Sequence, residues 1–239
     1  MRNTTQKLIK TFAPLGMALM LSATLAACGS SGGSGDNNTP PVPPSATAKS
    51  VVGKITGFGS VYVNGVEYDT NGASYDVDDE SASDDSALAV GMVVKVQGSV
   101  NADGRTGSAS SVSYDDEVEG LVEDLATDAA DPSIKTFTVM NTMVRVHQNS
   151  TNFDGEDDAA FSFETIMNDD NVEVSGEYEG DILVASYVEK QDSADDDFEA
   201  KGTVTDYDGA ENFVLVLKNG STLDVALAAG AEIPSVGIE

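Results

Sequence analysis

The sequence has 239 residues, of which 41 are acidic and 12 are basic, so its formal net charge at neutral pH is −29. The electrostatic field of so acidic a chain repels phosphate backbones, so nucleic acid is not an expected partner. The charge favours binding of cations or basic partners, or it simply keeps the surface soluble. The chain holds one cysteine and one histidine. No disulfide can therefore form within it, and a zinc site, which needs several such ligands, is not expected.

The first 27 residues have the pattern of a signal peptide. Arg2, Lys7 and Lys10 form a basic start, and an apolar run follows from Phe12 to Ala27. That run is short for a membrane-spanning helix, which needs about 20 apolar residues. We therefore expect residues 1–27 to be removed on export.

The leader ends in Leu25-Ala26-Ala27-Cys28, which resembles the lipobox of bacterial lipoproteins. The resemblance implies cleavage before Cys28 and acylation of its thiol and its new amine. Two or three acyl chains would anchor the protein lastingly in a membrane. In lipoproteins an Asp after the cysteine commonly signals retention at the inner membrane, so Gly29 favours the outer membrane of a Gram-negative cell envelope. The alternative is an ordinary secretory leader followed by a free cysteine.

Residues 28–50 are predicted to be a linker, rich in Gly and Ser at first and in Pro later. This composition is typical of a flexible tether that passes into a stiffer, extended piece. The lipid and the tether together would hold the folded part away from the bilayer.

Residues 51–117 form the first predicted domain, and they open with a β-hairpin. Apolar and polar residues alternate on both sides of Asn64-Gly65, a pair that tolerates positive φ at both positions. This pattern predicts a type I′ turn between two strands. The core-facing side chains of the hairpin would be Val61, Val63, Val66 and Tyr68.

The same layout returns in residues 118–198, the second predicted domain, and in part in residues 199–239. Glycines at 53, 120 and 202 open the three segments, and a hairpin is predicted after each. The second hairpin would turn at Asn141-Thr142 and the third at Asn219-Gly220. The predicted core faces are Phe137, Val139, Val144 and Val146 in the second hairpin and Val214, Val216, Leu223 and Val225 in the third.

The later parts of the first two segments also correspond. Val94–Gly98 matches Val172–Gly176, and Ala109–Val112 matches Ala185–Val188. Several correspondences in the same order indicate a true internal repeat.

A long acidic connection lies between the third and fourth predicted strands of each unit. In the second unit Ala159, Phe163 and Ile166 recur at helical spacing, and Asp157 or Asp158 could cap a short helix there. Three strands, a helical connection and two strands is the order of OB-type barrels. We therefore predict an all-β fold with short helical connections, built from tandem small OB-like five-stranded barrels with a partial third unit.

Two stretches of the first unit, GKITGFGSVYVNGVEYDT and LAVGMVVKVQGSV, together with the Ala-x-x-Val segment after them, resemble a bacterial family called domain of unknown function 5666. Members of that family are exported, often lipidated, and commonly carry the unit in tandem. The resemblance implies an OB-like β-barrel in a cell-envelope lipoprotein. It implies no activity, ligand or catalytic residue.

The acidic connections are the candidates for metal binding, because Ca²⁺ takes six to eight oxygen ligands from flexible acidic loops. The first connection fits part of an EF-hand loop but lacks its central glycine and its final glutamate. A looser calcium site is one hypothesis, and a solvated loop without metal is the other. The predicted ligands are Asp76, Asp78, Glu80 and Asp84 in the first unit and Asp154, Glu156 and Asp158 in the second.

No residue is predicted to be catalytic, since His147 should lie with Arg145 on the polar face of a strand. OB folds bind through an exposed face and its loops, which by analogy makes Tyr62, Asn64 and Glu67 candidates for a binding face. The sequence thus predicts a non-catalytic cell-envelope lipoprotein that acts as a binding or scaffold module for an unidentified envelope protein or ligand. The alternative is a calcium-binding structural envelope protein, and a hydrolase is the third hypothesis.

Overall fold

The computed structural model describes residues 47–155, 160–191, 198–209, 211–228 and 231. Its architecture is all-β, as the alternation predicts, with 18 strands in three sheets. Across these ranges no α-helix occurs, and the one helical element is a 3-10 turn at Asp85–Ala87. The predicted helical connections are therefore wrong for the described part of the chain. No helix there has the length and hydropathy needed to cross a bilayer.

The first unit is a closed barrel. Its strands are β1 (Thr47–Gly57), β2 (Val61–Val63), β3 (Val66–Asp69), β4 (Ser74–Val77), β5 (Glu80–Ala82), β6 (Val93–Val100) and β7 (Thr106–Tyr114). Five of them pair in the order β3-β2-β1-β6-β7, and a parallel pairing of β3 with β7 closes the circuit. This is the strand order of an OB fold, so the predicted barrel is confirmed.

Strand β1 is the longest in the first barrel and joins its two halves. Its first part, from Thr47, pairs with β6, and its last part pairs with β2. The strand thus starts four residues before the predicted domain boundary at Val51. The last four residues of the predicted linker (residues 28–50) pair with Gln97–Val100 and therefore belong to the barrel.

The first hairpin has the predicted register. Val61 lies opposite Tyr68 and Val63 opposite Val66. The turn residues Asn64 and Gly65 have φ values of 53° and 76°, as a type I′ turn requires.

The second unit repeats this topology. Its strands are β8 (Val118–Leu121), β9 (Glu123–Thr127), β10 (Ile134–Val139), β11 (Thr142–His147), β12 (Asn152–Asp154), β13 (Asn171–Glu179) and β14 (Ile182–Lys190). They pair in the order β8-β13-β14-β11-β10-β9. Only Val122 separates β8 from β9, so the two act as one bent strand that corresponds to β1.

The second hairpin turns one residue earlier than predicted. Its turn residues are Met140 and Asn141, with φ values of 45° and 61°, and Val139 pairs with Thr142. This register puts the four predicted apolar residues on one face, where each is at most 1% exposed. Burial of that face outweighs the preference of the turn for Asn-Gly, because a one-residue slip would expose all of it.

Two equivalent glycines show how closely the units match. The ladders of β6 with β7 and of β13 with β14 carry an irregularity just before Gly98 and Gly176, which pair with Ala109 and Ala185. A Cβ would lie 2.1 Å from a carbonyl oxygen at Gly98 and 2.3 Å from one at Gly176. Only glycine fits at either place, so the internal repeat extends to single backbone positions.

The third unit has β15 (Glu199–Ala200), β16 (Gly202–Thr205), β17 (Asn212–Leu217) and β18 (Thr222–Ala226). β15 pairs with β8 of the second barrel, whereas β16, β17 and β18 form a separate three-stranded sheet.

The register of the third hairpin differs from the prediction. Leu215 pairs with Leu223, and Phe213 with Val225, so Val214 and Val216 do not share the buried face. The loop has three residues instead of the predicted two. The Gly220 N–H donates to the Leu217 carbonyl, which closes a turn, and Gly220 itself lies in the left-handed region (φ 82°).

Strands replace the expected helices in the two acidic connections. β4 and β5 form a hairpin whose first strand runs parallel to β7, and β12 runs parallel to β14. Phe163 and Ile166 are buried in the second core although residues 160–170 form only turns. Their spacing therefore reflects core packing and not a helix. The other residues of that prediction, 157–159, lie outside the described ranges.

Candidate functional site

The predicted calcium ligands of the first unit do not converge on one another. Asp76 and Glu80 are exposed on β4 and β5. Asp84 accepts the backbone N–H of Ser86 at 3.0 Å and caps the 3-10 turn, and this bonding lowers the pKa of Asp84. Asp78, in the turn between β4 and β5, is the member of this set that lies in a cluster of three carboxylates among the described residues, and the other two come from elsewhere in the chain.

In the second unit, Asp154 is exposed on β12, where its carboxylate accepts a hydrogen bond of 3.4 Å from the Tyr187 hydroxyl. The predicted ligands Glu156 and Asp158 lie outside the described ranges, as do the lipobox residues 25–27 and Cys28. The calcium hypothesis for these loops and the lipid anchor stay predictions.

The candidate binding face lies on the first hairpin. Tyr62 and Glu67 pair across it, and a hydrogen bond to Glu67 raises the pKa of Tyr62. The Asn64 amide donates to the Val52 carbonyl at 2.9 Å and covers Gly53, where a Cβ would come within 2.3 Å of it. Asn64 therefore fastens the turn to β1, and Tyr62 and Glu67 are the residues of this face that remain for a ligand.

His147 and Arg145 lie on the opposite side of β11 from the buried Val144 and Val146, as predicted. Arg145 is paired with Glu179 at 3.3 Å.

The two barrels meet along a specific contact. Tyr187, on β14 of the second unit, is 3% exposed and belongs to the core of the first barrel. The Ser175 hydroxyl accepts the Val93 N–H at 2.8 Å, and the Ser186 hydroxyl donates to the Gly91 carbonyl at 2.5 Å. A shared core residue and hydrogen bonds at separate points fix one barrel against the other.

A row of glutamates crosses the second unit on four adjacent strands. Glu119 on β8 lies opposite both Glu199 on β15 and Glu173 on β13, and Glu173 lies opposite Glu189 on β14. Glu199, Glu119 and Glu173 are 2%, 3% and 6% exposed. Like charges directly opposite each other destabilise a sheet, so this glutamate row needs compensation from its surroundings.

Part of the compensation comes from hydrogen bonds to Glu173. The Tyr114 hydroxyl donates to one carboxylate oxygen at 2.5 Å and the Gln191 amide to the other at 3.1 Å. Burial, together with the charges of Asp116 and Asp78, nevertheless raises the pKa of Glu173 well above its ordinary value.

Another part comes from Lys201, between β15 and β16. Its ammonium lies 2.6 Å from Asp116 Oδ1, 3.2 Å from Asp115 and 3.1 Å from Glu199, and its side chain is 10% exposed. It also donates to the Asp116 backbone carbonyl. Burial alone would lower the pKa of Lys201, but the charges of these three carboxylates raise it. Lys201 therefore stays charged and ties the start of the third unit to the connection between the two barrels.

One lysine does not balance the acids that it touches. Asp116 is 3% exposed, and burial raises its pKa to about 6 in spite of Lys201. Asp78 joins the group from the first barrel, where its N–H donates to the Tyr114 carbonyl at 3.2 Å. One carboxylate oxygen each from Asp78, Asp115 and Asp116 lies within 4.8 Å of the other two. Oxygen donors in this arrangement suit a hard cation.

Comparison with known proteins agrees with the two-barrel architecture. Residues 51–113 and 119–189 match the family described as Domain of unknown function (DUF5666). The chain belongs to this family. Its tandem repeat is thus a tandem of DUF5666 units, one for each barrel. Searches of curated proteins and of solved structures gave no match.

The carboxylates at the junction were not among the predicted site residues, apart from Asp78. Asp115 and Asp116 fall between the two DUF5666 matches, in the short segment that joins β7 to β8. The sequence signal that could have identified them is a pair of adjacent acidic residues between two repeats. Their meeting with Asp78 and Lys201 depends on how three units pack, which alternation along one strand does not encode.

Proposed function

We propose that this chain is a non-catalytic cell-envelope lipoprotein that holds two fixed DUF5666 barrels away from the membrane as a binding or scaffold module. The observation that carries the proposal is the contact between the barrels, in which Tyr187 of the second barrel completes the core of the first. A module that only linked two independent ligand sites would not need a shared core. A rigid two-barrel unit is what a scaffold requires.

The anchor in this proposal is Cys28, acylated after cleavage of the leader behind Leu25-Ala26-Ala27. Gly29 supports localisation at the outer membrane of a Gram-negative bacterium. The net charge of −29 supports an envelope protein or a cationic ligand as the partner and argues against nucleic acid.

The binding surface in this proposal is the face of the first hairpin around Tyr62 and Glu67. An aromatic ring beside a carboxylate suits a basic or hydroxyl-rich partner, and both side chains lie on a barrel rim held in place by the Asn64 amide. The assignment rests on the usual binding face of OB folds.

The anchor is tested by fractionating cells that express Cys28→Ser. The expected result is that the parent chain sediments with membranes, whereas the variant is soluble or remains unprocessed. A mature variant that still sediments with membranes would remove the lipid anchor from the proposal.

The binding face is tested by cross-linking in intact cells with a photoreactive residue at Tyr62. The matched control carries the same residue at Asp181, an exposed position in the second barrel. We expect a discrete cross-linked species from position 62 and none from position 181. The same products from both positions, or none from position 62, would contradict this face as the site.

A further inference from the structure

We propose that Asp78, Asp115 and Asp116 bind one Ca²⁺ ion at the junction of the two barrels. This site differs from the acidic loops suggested by the sequence, and of those loop residues it uses only Asp78. It goes beyond the proposed scaffold function and does not depend on the lipid anchor, so either proposal can fail alone.

The geometry of the three carboxylates fits a shared ion. Ca²⁺ binds oxygen at 2.3–2.6 Å, so two oxygens on the same ion lie at most about 5 Å apart. One oxygen of each carboxylate lies within 4.8 Å of the other two, which is within the span that two ligands of one ion can bridge. Water molecules would supply the remaining ligands, as in many calcium sites.

A separate observation on Asp116 also points to a ligand. Asp116 is 3% exposed, and its Oδ1 atom is taken by Lys201 at 2.6 Å. Its other oxygen, Oδ2, is buried and has no hydrogen-bond partner among the described residues. A buried carboxylate oxygen without a partner carries a desolvation cost that a cation would remove.

The charge at the junction supports the same conclusion. Besides the three proposed ligands, the buried carboxylates of Glu173 and Glu199 belong to the same acidic region, where burial and neighbouring negative charge raise the pKa of Asp116 and of Glu173. Lys201 pairs with Asp115, Asp116 and Glu199. A second positive charge would relieve this repulsion. All candidate ligands are carboxylates, which favours a hard divalent ion over zinc or copper.

The three ligands come from the hairpin of the first barrel and from the segment between the barrels. Asp78 lies in the β4–β5 turn, and Asp115 and Asp116 lie between β7 and β8. An ion held by both would tie that turn to the connection between the barrels. Calcium would therefore stiffen the joint of the scaffold and not take part in chemistry.

The test is calorimetric titration of the full chain with Ca²⁺ after removal of metals with a chelator. The variants are Asp78→Asn and Asp116→Asn. The matched control is Asp76→Asn, which removes an exposed carboxylate from the same hairpin two residues away. Tb³⁺ is a second probe, because excitation of Tyr114, next to Asp115 in sequence, should sensitise the emission of a bound lanthanide.

We expect the parent chain and Asp76→Asn to bind about one Ca²⁺ per chain with the same affinity. Asp78→Asn and Asp116→Asn should each weaken binding at least tenfold and reduce Tyr-sensitised Tb³⁺ emission. Calcium should raise the melting temperature of the parent chain and leave that of Asp78→Asn unchanged.

The absence of saturable Ca²⁺ binding by the parent chain would overturn the proposal. An equal loss of affinity in Asp76→Asn and Asp78→Asn would also overturn it, because it would indicate diffuse attraction by acidic loops. If Asp116→Asn fails to fold, as shown by circular dichroism, Asp78→Asn and Asp115→Asn decide the question, since neither residue is as deeply buried.

Discussion

The interiors of the barrels are apolar, whereas the junction between them is rich in charged residues. Each barrel core is a cluster of buried apolar residues in which valine is the commonest type, and most of them come from the strands. The junction combines one shared aromatic residue, Tyr187, with the glutamate row, Asp115, Asp116 and a single lysine. The comparison teaches that apolar burial is enough to form each barrel, whereas the joint between the barrels adds buried charge and hydrogen bonds to one shared core residue.

The largest effect is expected in the interior of a barrel. Phe137, 1% exposed in the second core, contributes its whole ring to apolar contact. Phe137→Ala should lower the free energy of unfolding by about 3–5 kcal/mol, as measured by chemical denaturation. Phe58→Ala, at a residue 39% exposed, is the control and should change it by less than about 0.5 kcal/mol. Equal effects of the two changes would mean that this core is misplaced.

At the junction, removal of the buried cation should cost nearly as much. Lys201→Met would remove the ammonium group that pairs with the buried carboxylates of Asp116 and Glu199. A loss of about 3 kcal/mol or more in the free energy of unfolding is expected, because uncompensated buried charge is strongly destabilising.

Lys218→Met is the matched control for that change. Lys218 also pairs with a carboxylate, Glu117, at 2.9 Å, but its side chain is 62% exposed. The expected loss is at most about 1 kcal/mol. If both lysines contributed alike, the junction would not be the electrostatic joint described above.

The register of the third hairpin predicts an asymmetry between neighbours. Leu215 is 0% exposed, whereas Val214 is only half-buried. Leu215→Ala should cost about 2–5 kcal/mol and Val214→Ala about 1 kcal/mol or less, measured by thermal unfolding. The reverse order would support the register expected from a two-residue Asn219-Gly220 turn.

Smaller effects should appear at the equivalent glycines. Gly98→Ala and Gly176→Ala each place a methyl group against a carbonyl oxygen, and each should cost about 1–3 kcal/mol. The decisive result is their similarity, since both barrels carry the same ladder irregularity. A large loss at one position and none at the other would indicate that the two units are not equivalent there.

How much of this architecture was predictable depends on the range of the interaction concerned. The first hairpin follows from alternation and one Asn-Gly pair, and its register is as predicted. In the second hairpin the core face was correct but the turn was not, because Met140 adopts a left-handed conformation that its residue type does not favour. The spacing of Phe163 and Ile166 suggested a helix, since buried residues in an irregular connection can recur at the same interval.

The candidate site was less predictable than the fold. The sequence groups Asp78 with its neighbours along the acidic loop, whereas the structure brings it close to Asp115 and Asp116. The glutamate row requires strands that are up to 80 residues apart to align, such as Glu119 with Glu199. No local pattern in the sequence specifies that alignment.

A further prediction concerns the change of stability with pH in metal-free protein. Asp116, with its pKa raised from 3.8 to about 6, and Glu173, also raised, bind protons more tightly in the folded state. Their contribution is complete below the unfolded pKa values and is lost as pH rises through the folded ones, so stability should fall between about pH 4 and pH 6 and beyond.

Exposed carboxylates act in the opposite direction. Hydrogen bonds lower the pKa values of Asp84 and Asp103, so their contribution is lost as pH falls below about 4. The melting temperature with a chelator present should therefore be highest near pH 5, and Glu173→Gln should flatten its decline towards neutral pH. A maximum above pH 7 would contradict the raised pKa values at the junction.

The central claim is that two copies of one barrel are held in a fixed arrangement. The most direct measurement is the distance between spin labels on the two barrels, attached in Cys28→Ser at the exposed sites Ala102→Cys and Asp181→Cys. Pulsed electron–electron double resonance should give a single narrow distance distribution. A broad distribution, like that of domains on a flexible linker, would contradict the claim.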